Sequence, residues 1–101
     1  MGTTYRRIKS VNTAFEILEY LADQRELVTG ARVAADLNVP FPTVMCHLAT
    51  ALDRGYVQVV GEQYRLGMKL AVFWARMKSL REGELQRAQQ DLDILNGEGG
   101  L

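Results

Sequence analysis

The sequence has one cysteine, one histidine and two prolines in 101 residues, and its twelve basic side chains are cancelled by twelve acidic ones. Each shortage closes off a class of chemistry. The lone Cys46 has no partner for an internal disulfide and no companions for a cysteine-based metal site, which suits a reducing compartment. A nucleophilic pair between Cys46 and the adjacent His47 is not expected, because neighbours on a helix do not face each other. The carboxylates are dispersed, and there is no glycine-rich phosphate cradle or metal-ligand spacing. No catalytic residue, metal or cofactor is therefore expected. No apolar run approaches the roughly 20 residues that cross a bilayer, and Met1 to Lys9 lacks the apolar centre of a secretory signal. These absences predict no membrane partner and a cytoplasmic location. Zero formal charge also removes the simplest argument for nucleic-acid binding, an overall basic chain.

The distribution of charge says more than its sum. Residues 1–81 hold eleven basic and seven acidic side chains, a net of +4, whereas residues 82–101 hold Arg87 against five carboxylates, a net of −4. The positive charge thus sits on the first four-fifths of the chain. A chain of this length, 48% hydrophobic, suits one small domain plus an appendage, because a core this size hides a modest share of its surface.

Hydrophobic spacing then sets the order of elements. The leader through Arg6, Arg7 and Lys9 reads as a flexible basic arm. From Ser10, a favourable N-cap, Val11, Ala14, Phe15, Leu18, Leu21 and Ala22 recur at steps of three and four, which predicts a helix buried on that side and ending near Asp23. Gln24 to Val28 reads as a polar connector. Thr29 precedes a short helix with Val33, Ala34 and Leu37 inward, and Asn38-Val39-Pro40 breaks it. A third helix starts at Phe41 or Pro42, where proline is tolerated, and runs to about Arg54, with Val44, Leu48, Ala51 and Leu52 inward and Gly55 as its stop. Two β-rich runs, 56–60 and 63–66, flank Gly61-Glu62, a two-residue hairpin turn. After Gly67 a helical stripe returns through Leu70, Phe73, Trp74, Met77 and Leu80 and continues to Leu95. Gly83 in its middle costs about 1 kcal/mol relative to alanine, so a bend or a junction of two helices is expected there, with a frayed end from Asn96 to Gly100.

This order predicts a mainly α fold with a small β-hairpin: a winged helix-turn-helix over residues 1–67, followed by a linker and dimerisation helix over 68–101. Such a fold presents one helix to a DNA groove, so double-stranded DNA is the expected partner. The outward face of the third helix offers Pro42, Thr43, Met45, Cys46 and Thr50 as base-reading candidates, with no Arg or Lys, which favours shape and apolar contact over bidentate reading of guanine. Phosphate contacts fall to Arg32, Arg54, Tyr64, Arg65, Lys69 and the arm's Arg6, Arg7 and Lys9. His47 is expected to be half-buried and hydrogen-bonded. Leu70, Phe73, Trp74, Met77 and Leu80 form too much apolar surface for a lone helix, so the stripe is expected to pack either on the chain's own first helix or on the same helix of a second copy, the latter giving a homodimer with two reading heads over a pseudo-palindromic site. Blocking transcription by occupancy is the simplest use of such a complex. The competing reading is a winged-helix module that binds protein and no DNA, favoured by the zero net charge and the Arg-free face.

The same residues closely resemble the amino-terminal DNA-binding region of the IclR family of bacterial transcriptional regulators, over about Lys9 to Gly67. Lys9-Ser10-Val11, Ala14, Ile17-Leu18 and Leu21-Ala22 look like the family's first helix. Pro40, Thr43-Val44, Leu48-Ala49-Thr50 and Arg54-Gly55-Tyr56-Val57 fall where its recognition helix and first wing strand have those residues, and Tyr64-Arg65-Leu66-Gly67 is similar to its end-of-wing signature. Phe41, Pro42 and Cys46 replace the Lys, Ser and Arg usual there, and His47 replaces a usual Leu, so the base-reading surface is unusual. Full members continue after a linker helix into an effector-binding domain. Residues 84–98 look like that domain's first helix, and a small-molecule effector is implied only if a sensor domain lies beyond residue 101.

Overall fold

The computed structural model describes residues 3–97; Glu98 to Gly100 of the expected frayed end lie outside them. The chain divides into two compact units, one running to Lys69 and the other starting at Leu70.

The first unit opens with helix α1 (Lys9–Ala22), whose cap is Ile8 and not Ser10. Its buried face is Thr13, Ile17 and Leu21, while Val11 and Phe15, expected inside, are 46% and 56% exposed. The helix is turned relative to the expected stripe because a polar residue can join the core when its hydroxyl is satisfied. Thr13 Oγ1 donates to the Lys9 carbonyl at 3.0 Å, a bond within its own helix.

The expected connector instead ends in a strand. Val28 and Thr29 form β1, which pairs with the second wing strand, and Val28 belongs to the core. Thr29 also caps α2 (Gly30–Leu37), its Oγ1 accepting from the Arg32 amide at 3.1 Å. Asn38, at φ 54° and ψ 47°, closes α2 in the left-handed region. It is the one non-glycine with positive φ among the described residues, and asparagine tolerates that conformation better than most side chains. Helix α3 (Phe41–Asp53) follows within three residues, with Pro42 in its first turn. Val44 and Leu48 are fully buried, whereas Leu52, expected inside, is 38% exposed.

Gly55, at φ 81°, turns the chain into the wing. Strands β2 (Val57–Val60) and β3 (Gln63–Leu66) pair antiparallel with Val57 opposite Leu66 and Gln58 opposite Arg65. Gly61 has φ 65° at the first turn position while Glu62 stays out of the left-handed region, as a type II′ hairpin requires. The sheet is three-stranded, in the order β1-β3-β2, so the wing is broader than a hairpin. Ile17, Leu21, Val28, Val33, Ala34, Val44, Leu48 and Val57 make one core. Each large side chain in it contributes roughly 1.5–3 kcal/mol. That core fixes α3 against α1, α2 and the sheet.

The second unit is helix α4. It runs unbroken from Lys69 to Leu95, through Gly83, and has no buried residue. Trp74, Met77, Leu80 and Leu85 are each at least 59% exposed. Its ion pairs, Lys78 with Glu82 and Arg81 with Glu84, are solvent-facing and worth little individually. Lys78 also lies 5.9 Å from the Trp74 ring centroid, within cation–π range.

Candidate nucleic-acid interface

Helix α3 exposes Pro42, Thr43, Cys46 and Thr50. Thr50 Oγ1 donates to the Cys46 carbonyl at 2.8 Å, which leaves its oxygen lone pairs as acceptors. Met45 does not belong to this surface. It is half-buried and packs against the core, with its sulfur over Gly30, where an added Cβ would collide with it. The expected outward placement fails there because α2 begins with a residue that has no side chain, and the flexible thioether fills the space. Asp53 is the sole carboxylate in α3, which has no Lys or Arg.

The expected phosphate-binding cations differ in how they are held. Arg32, Arg54, Arg65, Lys69, Arg6, Arg7 and Lys9 are all exposed. Arg32 Nε donates to Asp36 Oδ2 at 2.9 Å, and Asp36 also accepts from the Tyr20 hydroxyl at 2.5 Å. This network holds the guanidinium in place while engaging only one of its nitrogens. The Tyr20 hydrogen bond, followed by that of Arg32, holds the Asp36 carboxyl below the usual carboxylate range. Partial burial and then the Asp36 hydrogen bond push the Tyr20 hydroxyl up. Asp36 raises the Arg32 guanidinium above its already high value, so the cation stays charged at any working pH.

On the wing, Arg65 Nε donates to Gln58 Oε1 at 2.9 Å across the β2 and β3 pair. Sequence reasoning passed over Gln58, although cross-strand register makes it the natural support for Arg65. Tyr64 differs from the cations: it is half-buried and packs against the core. Arg54 follows the last turn of α3 as its C-cap, and Lys69 opens α4. In the arm, Arg7 Nη1 donates to the Tyr5 carbonyl at 2.6 Å. Lys9 lines a groove with Ser10, Thr13, Asn38, Val39, Pro40, Thr43 and His47, between the starts of α1 and α3. His47 is half-buried. Its Nδ1 lies 2.8 Å from the Thr43 carbonyl and its Nε2 3.0 Å from that of Ser10.

Two consecutive helices joined by a left-handed break, followed by a three-stranded wing, therefore leave one face of α3 exposed. The family model for the IclR helix-turn-helix domain matches residues 10–61. The chain belongs to the IclR family. Its helix-turn-helix is an IclR-family DNA-binding domain, which implies transcriptional regulation and places it among regulators and not enzymes. An IclR transcriptional regulator from Alicyclobacillus acidocaldarius is similar with a TM-score of 0.70 and 26% identity, covering 74% of this chain and 31% of that one. HmgR of Pseudomonas aeruginosa gives 0.61 and 24%, over 71% and 31%. An IclR-family regulator from Brucella abortus gives 0.63 and 18%, over 78% and 32%. The last two likenesses speak to fold alone. The chain spans about a third of the length of these structures. No curated protein matches the sequence. Among the described residues, no helix of this IclR-family chain is long and apolar enough to cross a membrane.

Proposed function

We propose that this IclR-family domain is a cytoplasmic, sequence-specific DNA-binding unit that acts as a homodimeric repressor on a pseudo-palindromic operator. The observation that carries the reading is the exposed face of α3, with Pro42, Thr43, Cys46 and Thr50 outward and cations on the neighbouring elements. In this reading residues 1–67 bind DNA and residues 68–101 link and pair two copies. Pro42, Thr43, Cys46 and Thr50 approach base edges, where the threonine hydroxyls hydrogen-bond and their methyls meet thymine methyls. Arg32, Arg54, Arg65, Lys69 and the arm cations hold phosphates. On α4 the apolar stripe through Leu70, Phe73, Trp74, Met77 and Leu80 meets the same stripe of a second copy, and the pair sets the spacing of two recognition helices. Repression needs only occupancy of the site. A small-molecule effector would enter through a sensor domain in a longer chain.

Selection of bound fragments from random duplex DNA tests this reading, since half-site symmetry and spacing appear in the recovered sequences. A salt titration on a recovered duplex should show affinity falling steeply, because phosphate contacts release counterions. Arg65→Ala should lower that slope by about 0.9 for its one contact. No enrichment, or a flat salt response, favours the protein-binding module that the cation-free α3 face also suits.

A further inference from the structure

Asp36 takes two hydrogen bonds on a single carboxylate oxygen. The Tyr20 hydroxyl, 16 residues earlier on α1, donates to Oδ2 at 2.5 Å, and Arg32 Nε, one turn back on α2, donates to it at 2.9 Å. The three side chains are not equally fixed. Tyr20 is half-buried and packs against the core, whereas the Arg32 side chain is 65% exposed and that of Asp36 38%. An i,i+4 pair this exposed holds a guanidinium weakly by itself, so the anchored end of the network is the phenol. The Arg32 backbone is fastened as well, since its amide donates to the Thr29 hydroxyl at 3.1 Å. The start of α2 lies against the first half of α3, because a Cβ at Gly30 would meet Phe41, Met45 and Leu48.

We propose that Tyr20 and Asp36 are positioning residues that hold the Arg32 guanidinium ready for one backbone phosphate of DNA. The role rests on the DNA-binding reading above, within which it gives Arg32 its supports. A free arginine must give up side-chain freedom to grip a phosphate, and one already fastened through Nε has given up part of it in the unbound protein. With Nε on Asp36, the two terminal nitrogens are the ones that can offer the paired N–H bonds arginine makes to phosphate oxygens. The Asp36 charge lowers the long-range pull on DNA. What the carboxylate contributes is direction at short range. Removing it therefore separates two effects: charge alone tightens DNA binding, whereas lost positioning weakens it.

A double-mutant cycle on DNA affinity tests the role. The full chain is titrated by fluorescence anisotropy against a duplex recovered from a random pool, at fixed salt, with Tyr20→Phe made both in the wild type and in Arg32→Ala. Tyr20→Phe removes the hydroxyl, keeps the ring and alters no charge. It should weaken binding roughly threefold in the wild type, the scale of one pairwise coupling, and less than about 1.5-fold in Arg32→Ala. A role confined to stability lowers both alike, so equal losses overturn the positioning. Asp36→Ala supplies the same cycle if the phenylalanine variant does not fold. It should weaken binding in the wild type, but in Arg32→Ala, where only a carboxylate is lost, binding should hold or tighten. Tighter binding by Asp36→Ala in the wild type overturns the positioning too. A wild-type chain that binds no duplex removes the DNA reading and this role of Arg32 with it, whereas binding with equal losses removes the positioning alone.

Discussion

Replacing Gly67 with alanine tests whether the exit of the wing is held by backbone packed directly on backbone. Gly67 is buried, and its N–H donates to the Tyr56 carbonyl at 2.8 Å. A Cβ added there would lie under 3.0 Å from the Gly55 carbonyl oxygen and 3.1 Å from the carbonyl carbons of Gly55 and Tyr56. None of these atoms can rotate away as a side chain would. The Tyr56 amide is bonded to the Ala51 carbonyl at 3.0 Å and the Lys69 amide to Gly55 at 3.4 Å, so a shift of the strand spreads to the end of α3. Overpacking against movable side chains costs about 1–3 kcal/mol, and a hydrogen-bonded backbone obstacle puts Gly67→Ala at the top of that span, about 3 kcal/mol. For a domain with roughly 5–15 kcal/mol of stability that is a large share, and it lowers the thermal midpoint by about 10–20 °C. Urea unfolding followed by circular dichroism reads it as a lower midpoint with an unchanged slope. Gly61→Ala is the control: nothing lies within 4 Å of its added methyl and only its φ of 65° is unfavourable, a penalty of about 1–2 kcal/mol. A Gly67→Ala loss no greater than that of Gly61→Ala would refute the packing argument.

Gly83→Ala should stabilise α4 by about 1 kcal/mol, because the added methyl meets only the far end of Arg87 at 3.5 Å; slower amide hydrogen exchange along α4 is the readout, and unchanged exchange counts against it. If α4 pairs two copies, Trp74→Ala should weaken the dimer by about 2 kcal/mol, roughly 30-fold in dissociation constant, as measured by sedimentation; a wild-type chain that stays monomeric at all concentrations rejects the dimer. Asp36 titrates below the ordinary carboxylate range in the folded domain, so its contribution is complete above that ordinary value and disappears as pH falls through the lowered one. Asp36→Asn should therefore flatten the acid limb of the thermal midpoint against pH, and an unaltered limb would show that the Tyr20 and Arg32 bonds to it carry no stability. For Tyr20, raised in the folded state, the sign is opposite: its contribution is present below the ordinary phenol value and lost as pH climbs through the raised one.

Most residues that act locally were legible in the sequence, although Ser10, a favourable cap, yields that place in α1 to Ile8. Thr29 before the short helix, Asn38 and Pro40 as the break, Pro42 in the first turn of α3 and Gly61 at the hairpin all express preferences that need no partner, and each sits where expected. What escaped depends on distant residues. β1 is two residues long and exists only because β3 lies beside it, so no run of β-formers announces it. Thr13 is polar and lies off the apolar stripe read from the sequence, yet it is buried with its hydroxyl on the Lys9 carbonyl, and the inner face of α1 lies away from Val11 and Phe15. Met45 occupied an outward position on the helix wheel, yet the bare backbone at Gly30 drew it inward. In the candidate site the cations were legible as types, whereas their supports were not: Gln58 under Arg65 and Tyr20 behind Asp36 come together only through sheet register and helix packing.

Thr29 joins two elements in one residue. It stands opposite Gln63, next to the hairpin's tip, and its hydroxyl takes the Arg32 amide. The short β1 and β3 pairing thus ties the strand beside the hairpin's tip to the root of α2 and to Arg32, whose guanidinium Asp36 holds. The wing's tip and the start of α2 are therefore not positioned independently of one another.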